Sequence, residues 1–302
     1  MLPIILVTGA SGFIGHRVAA GLHADGRPVI GLDRRPPPPG GAPFAFHEAD
    51  VNDVHRLHAA VRGRELDAIV HCGGLSGLMV GRDNPFMICE TNVRGTAHVL
   101  ELARQLRPRR IVFCSSISAY GETPPDAVVT EEMPLRPTTV YGASKAAGEA
   151  ILGAYTAEHG VDAVALRITH VYGPGRETEC FIRQLLEAAA ARRPTRLPHS
   201  WRSRRQYVHV TDVVDAIGLA LAADALPRRA YNVGPGRQHT LGEVAETVKR
   251  VVGPVDVDFD DAREPSEYRC GLLDVSAAAR DLGYRPKVEL EAGIAAYAAA
   301  LR

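Results

Sequence analysis

Ile4-Ile-Leu-Val-Thr-Gly9-Ala-Ser11-Gly12-Phe13-Ile14-Gly15 decides the fold. Ile4 to Val7 is a short apolar run with β-branched residues, bounded by Thr8-Gly9, and reads as a buried strand. From Phe13 to Asp25 the apolar residues recur at helical spacing. Three glycines stand where strand turns into helix. Gly9 permits the tight turn, Gly12 lets backbone N–H groups approach a pyrophosphate, and Gly15 lets the helix lie close to the sheet. A helix that starts there points unpaired donors and partial positive charge at phosphate oxygens. The loop, with Ser11, Phe13 and Ile14 between its glycines, therefore reads as a dinucleotide site.

Working outward, Pro28 to Leu32 is a second strand, and Asp33 ends it 18 residues beyond Gly15. An acid there hydrogen-bonds the adenosine ribose hydroxyls and repels a 2′-phosphate, which favours NAD over NADP. Arg34 and Arg35 stand on the NADP side of that balance. Asp50-Val51 follows another short run, Phe44 to His47. Its acid has two readings, an acceptor for the adenine amino group or a cap for the helix starting near Asp53.

Further strands are read at Asp67 to His71 and Arg110 to Cys114. Between them Pro85 to Arg107 reads as one long helix, stopped by Pro108. Such alternation predicts an α/β fold, a Rossmann-type doubly wound parallel sheet with a smaller C-terminal substrate-binding lobe. The NAD-binding domain is expected over residues 1–168, its core continuing in about 205–235. The lobe is expected over 169–204 and 236–302. Arg34 to Gly41 reads as a stiff exposed loop. Thr240 and Glu243 form a capping box, and Ser276 is read as the cap of a helix that Gly283 stops.

The chain has 302 residues, 46% hydrophobic and 23% charged, an ordinary soluble composition that excludes disorder as the dominant state. Lys+Arg and Asp+Glu each count 35, so there is no basic excess for a nucleic-acid partner. No apolar run approaches the ~18 residues of a membrane span. The first ten residues read as a strand rather than a leader. Five cysteines, an odd number without a C-x-x-C pair, argue against a disulfide framework or a zinc site. They are expected to be mostly buried small hydrophobes in a reducing, cytoplasmic compartment.

Tyr141-Gly-Ala-Ser-Lys145 places a phenol and an ammonium one helical turn apart, on one face. A phenol ordinarily titrates near ~10, and a fixed cation beside it favours the phenolate. Such a phenol takes a proton from a substrate hydroxyl as hydride leaves the carbon. Phe113-Cys-Ser-Ser116-Ile-Ser118-Ala-Tyr120-Gly121 follows a strand, so its serines emerge at the carboxyl end of the sheet, where α/β folds bind ligands. Ser116 is positioned to hydrogen-bond the reacting oxygen.

Together with Thr91-Asn92-Val93-x-Gly95-Thr96, Arg167-Ile-Thr-His170-Val-Tyr-Gly-Pro-Gly175 and Arg205-Gln-Tyr-Val-His209-Val-Thr-Asp212, these motifs resemble the extended short-chain dehydrogenases/reductases of the NAD-dependent epimerase/dehydratase group, over nearly the whole chain. The resemblance implies that Ser116, Tyr141 and Lys145 carry the chemistry. Ser116 is preferred to its neighbours because the family's Ser/Thr stands four residues before the tyrosine of the Tyr-Gly pair. Cys72, Gly73 and Gly74 lie at a strand end above the cofactor, and Asn92 belongs to the same region as a tie from its helix. His71 reads as a packed strand histidine. The resemblance also implies a homodimer formed through the long helices before residue 107 and after residue 140.

Within the family, elimination enzymes carry a Glu shortly after the catalytic Ser/Thr. Ile117 and Ser118 stand there instead, and neither transfers a proton at neutral pH. The first reading is therefore a nucleotide-sugar 4-epimerase, UDP-sugar-like, using bound NAD. Arg205 and Arg263 would hold the diphosphate, with Ser116, Ser118 and His170 on the substrate. His170 stands where nucleotide-sugar enzymes usually have Asn, and the common pattern around Arg263 is absent. The alternative is an NAD-dependent dehydrogenase or ketoreductase of a small sugar, sugar acid or hydroxy acid. A non-catalytic NAD sensor ranks last, because both Tyr141 and Lys145 are present.

Overall fold

The computed structural model describes residues 2–77, 83–260 and 269–301. In chain order its main elements are β1 (Ile4–Thr8), α1 (Gly15–Ala24), β2 (Val29–Asp33), β3 (Ala45–Glu48), α2 (Val54–Ala60), β4 (Leu66–His71), α3 (Pro85–Ile88), α4 (Gly95–Leu106), β5 (Arg110–Ser116), α5 (Val140–His159), β6 (Ala163–Ile168), α6 (Phe181–Ala190), α7 (Val210–Ala222), β7 (Ala230–Val233), α8 (Leu241–Val252), α9 (Ser276–Leu282) and α10 (Leu290–Ala300). The seven strands form one sheet in the order β7-β6-β5-β4-β1-β2-β3. Every pairing in it is parallel. The winding reverses between β1 and β4, and at such a switch point the loops part to leave a crevice beyond the strand ends.

The strands read as continuous apolar runs because both faces are covered. Side chains alternate between faces with period two. Ile5, Val7, Val70, Val112 and Val164 face α1, α7 and α9, where Val18, Val213, Ile217 and Ala278 meet them. Leu6, Leu32, Ile69, Ile111 and Phe113 face α2, α4 and α5, against Leu57, Val99, Leu102 and Leu152. A third cluster lies outside the sheet, built by Ile182, Leu185, Val244, Val248, Ile294 and Tyr297 from α6, α8 and α10. Among the described residues no helix is long and apolar enough to cross a membrane.

The stretch Pro85 to Arg107 is one unbroken helical run as far as Leu106, with a π-helical turn at Cys89–Arg94 between α3 and α4. Arg107 then closes α4 in a left-handed conformation, with φ 51°. Two local readings need correction. Ser276 is the first helical residue of α9 rather than its cap, and its N–H donates to the Asp274 carboxylate at 2.8 Å. Cys89 is exposed, unlike the buried Cys114 and Cys180. The capping box at Thr240 and Glu243 is present in both directions.

Candidate active site

The glycine loop is a cradle that side chains would fill. Gly9 sits at φ +71°, and a Cβ on it would lie 2.7 Å from the Cys72 carbonyl carbon. A Cβ on Gly15 would lie 2.1 Å from the Gly9 oxygen. Both clashes are with backbone, so only glycine fits. α1 starts at Gly15 without a side-chain cap, directly after the glycine loop, and its His16 N–H donates back to the Gly12 oxygen at 3.0 Å. The Ser11 N–H donates to Asp33 Oδ2 at 3.1 Å and the Arg35 N–H to Oδ1 at 3.0 Å, so the carboxylate is held at the tip of β2. Asp50 takes the Asn52 N–H at 2.8 Å, while Asp53 caps α2 through the Arg56 N–H. Of the two readings of Asp50, the helix cap is thereby given to Asp53.

These residues open into one cavity of about 640 Å³ across the carboxyl ends of the strands. Gly9, Gly12, Phe13, Ile14, Gly15, Asp33, Arg34, Asp50, Val51, Cys72, Gly73 and Gly74 line one arm. Ser116, Ser118, Tyr141 and Lys145 line the middle, and His170 and Arg205 the far arm. Arg263 lies outside the described residues. A glycine-shaped cradle, an uncapped helix N-terminus and an anchored acid at the second strand end together fit a dinucleotide without a 2′-phosphate.

Ser116 ends β5, and its Oγ accepts the Ser118 N–H at 3.1 Å, which fixes the following turn. Thr139 caps α5 by accepting the Gly142 N–H at 3.0 Å and so sets the helix start that carries Tyr141. Lys145 is 6% exposed. Its Nζ donates to the Cys114 carbonyl oxygen at 2.8 Å and lies 5.9 Å from the Tyr141 ring centre. Asn92 sits in the π-turn. Its Oδ1 accepts the Leu75 N–H at 2.8 Å, and its Nδ2 donates to the Leu75 oxygen and to Ser144 Oγ. The widened turn aims that amide at two other elements, so Asn92 ties α5 and the loop after β4 together and does not itself line the cavity.

Behind the serines lies a buried polar network. Arg167 of β6 donates through Nε and Nη2 to the Glu149 carboxylate of α5, the closest contact being 2.7 Å. Ser115 Oγ donates to the same carboxylate. Arg167 also reaches Tyr120 Oη, which donates to Asn232 Oδ1 at 2.7 Å. His71 is held between Thr8 at 2.7 Å and Thr96 at 3.1 Å, and burial first, then the Lys145 charge, lowers its pKa to about 3. It is a structural histidine, neutral at physiological pH. His170 is likewise lowered to about 3, by burial and then by the Arg205 and Arg176 charges.

The far arm holds residues that sequence reading missed, notably Arg176, Phe181, Gln184, His199 and Tyr207. The Gly-Pro-Gly-Arg176 turn after a strand was the available signal for Arg176. Parallel pairing of His170–Tyr172 with Tyr207–His209 brings the two distant segments together. The six arginines from 192 to 205 do not act as a group: Arg196 pairs with Asp260 and Arg204 with Asp126, while Arg205 lines the cavity.

Comparison with known proteins follows this geometry. Residues 5–234 match the model of the NAD dependent epimerase/dehydratase family. A UDP-glucose 4-epimerase of Mycolicibacterium smegmatis is 32% identical, with 96% of each chain covered. The solved UDP-glucose 4-epimerase of Thermus thermophilus, in complex with NAD, is 31% identical with a TM-score of 0.90 over 98% of both chains. The UDP-glucose 4-epimerase of Thermotoga maritima with UDP-glucose is 25% identical, TM-score 0.90, over 99% of this chain and 98% of that one.

Proposed function

The chain belongs to the NAD dependent epimerase/dehydratase family, and from that premise we propose that it is an NAD-dependent 4-epimerase of a uridine-diphosphate sugar. One observation carries the reading: Ser116, Tyr141 and Lys145 share a single cavity with the dinucleotide cradle, and the opposite arm of that cavity carries Arg176 and Arg205. The Arg205 guanidinium suits the bidentate demands of a diphosphate, and the charge of Arg176 lies in the same arm. The relatives described as UDP-glucose 4-epimerases support the same class.

Bound NAD supplies the two-electron acceptor at the sugar carbon. The chain's own residues do the rest. Ser116 Oγ hydrogen-bonds the 4-hydroxyl and orients it. Tyr141 takes the hydroxyl proton and returns it after the sugar has presented its other face. Lys145, anchored on the Cys114 carbonyl, holds positive charge beside Tyr141 throughout. Arg205 holds the diphosphate while the sugar turns, and Arg176, its guanidinium donating to the Val171, Thr178 and Glu179 carbonyl oxygens, adds positive charge to the same arm. Neutral His170 offers a polar contact in the far arm. Ile117 and Ser118 provide no acid for a departing hydroxyl, so the reaction ends in inversion rather than elimination.

We further propose that the sheet with α1 to α5 and α7 forms the NAD-binding domain, and that the segments carrying α6, α8 and α10 form the substrate lobe. A homodimer through α4 and α5 accords with Leu106 and Val140, each 41% exposed on those helices. A cytoplasmic site is the compartment proposed for a chain with five cysteines and no Cys-x-x-Cys pair.

The test is conversion of UDP-galactose to UDP-glucose by the NAD-loaded enzyme, followed by proton NMR of the anomeric signals. The proposal expects a mixture of both epimers with no net NADH. Steady NADH accumulation with one oxidised product would replace it by the dehydrogenase reading.

A further inference from the structure

Two thiols that the mechanism does not use face each other in the floor of the cofactor cavity. Cys72 and Cys114 directly follow the register pair His71 and Phe113 on adjacent parallel strands. Their sulfurs are 3.3 Å apart, and both residues line the cavity. Neighbouring strands lie about 4.8 Å apart, within the Cα separation that a disulfide spans. A modest side-chain rotation closes the remaining gap to about 2.05 Å.

We propose that Cys72 and Cys114 are an oxidation site that hydrogen peroxide converts to a disulfide when NAD is absent, and that the disulfide obstructs NAD binding. The thiols differ in a useful way. Hydrogen bonding to Cys72 lowers the pKa of Cys114 against the opposing effect of burial, with the Lys145 charge helping, while the same bond and burial raise that of Cys72. Cys114, whose own carbonyl oxygen holds the Lys145 ammonium at 2.8 Å, attacks as the thiolate. Its sulfur takes one peroxide oxygen, the O–O bond breaks, and a sulfenic acid and hydroxide result. The Cys72 sulfur then displaces that oxygen from Cys114, the S–O bond breaks, and the Cys72 proton leaves with it as water. In sum two thiols and one peroxide give one disulfide and two waters. The two sulfurs supply both electrons.

The consequence follows from what these residues hold. The Cys72 backbone lies where a Cβ on Gly9 would be, and the next N–H, on Gly73, donates to Thr8 Oγ at 3.1 Å. Pulling Cys72 toward β5 disturbs the glycine cradle. The Cys114 carbonyl is the anchor of Lys145, so the same movement shifts that ammonium. NAD bound in this cavity would lie against both residues and protect them.

The inference rests on NAD lying in this cavity, which titration of NAD onto the reduced protein tests separately. Full-length protein is stripped of NAD, shown to rebind it, and exposed to hydrogen peroxide with and without saturating NAD. Free thiols are then alkylated and peptides mapped by mass spectrometry. The expected product is a Cys72–Cys114 cross-linked peptide formed without NAD, suppressed with NAD, and reversed by dithiothreitol. NAD affinity should fall at least tenfold on oxidation and recover on reduction. Cys114→Ala and Cys114→Ser, each compared with its own untreated sample, should keep their NAD affinity through the same exposure. Oxidation confined to Cys89, Cys180 or Cys270, a cross-link that forms equally with NAD bound, or unchanged NAD affinity in the cross-linked protein would each overturn the proposal.

Discussion

Arg167 and Glu149 are paired at 2.7 Å with each side chain only 8% exposed, and that pair joins β6 to α5 directly behind the serines of β5. A buried ion pair contributes little net stability over a well-packed apolar pair, but removing one partner strands a charge. Glu149→Leu should therefore cost about 3–5 kcal/mol, read as a lower urea midpoint with unchanged slope. Glu149→Leu combined with Arg167→Met should recover much of that loss. A single variant as stable as the wild type would show that the pair does not hold the two elements.

Tyr141→Phe removes only the phenol oxygen. Epimerisation should slow by roughly 10²–10⁴-fold, the usual worth of a positioned acid–base group. NAD should still raise Tm as it does for the wild type. Activity within tenfold of normal would assign the proton transfer to another group.

Asp33→Ala tests the cofactor choice. With the carboxylate gone, the Ser11 and Arg35 N–H groups lose their acceptor, and a 2′-phosphate meets Arg34 and Arg35 without repulsion. NAD should bind about tenfold more weakly, the equivalent of one charged hydrogen bond, and its preference over NADP should narrow. An unchanged NAD/NADP ratio of Kd values would move the discrimination elsewhere.

The buried histidines predict an acid-side loss of stability. His71 has a folded pKa of about 3 and an unfolded one near 6.5. The unfolded chain binds the proton first, so the stabilisation is full above pH ~6.5 and falls as the pH drops toward about 3. Between pH 6.5 and 5 one such histidine accounts for roughly 2 kcal/mol. His71→Asn should flatten the urea-derived stability profile over that window, leaving the His170 contribution. Parallel wild-type and variant profiles would mean that His71 is not the group responsible.

Much of this was legible before the fold was known. The glycine loop, Asp33 and the Tyr141/Lys145 pair are local features, each requiring only a few consecutive residues to adopt one turn, one strand end or one helical face. Alternating apolar runs announced a parallel sheet because strands covered on both faces lose the polar half of their pattern. The π-turn at Cys89–Arg94 was not legible, because it arises where Asn92 reaches Leu75 and Ser144 across the fold. Nor did six arginines in one stretch reveal that Arg205 alone of them would line the cavity, joined there by Arg176 from another segment.

The sequence by itself determined the cofactor class and the placing of Tyr141 and Lys145 on one helical face, since backbone sterics and helical spacing act over short range. Tertiary structure decided which distant groups meet: Cys72 with Cys114, Arg167 with Glu149, and the arginine arm with the nucleotide cradle. Those meetings depend on strand order and register, which follow from burying both sheet faces at once and leave no mark in any single stretch of chain.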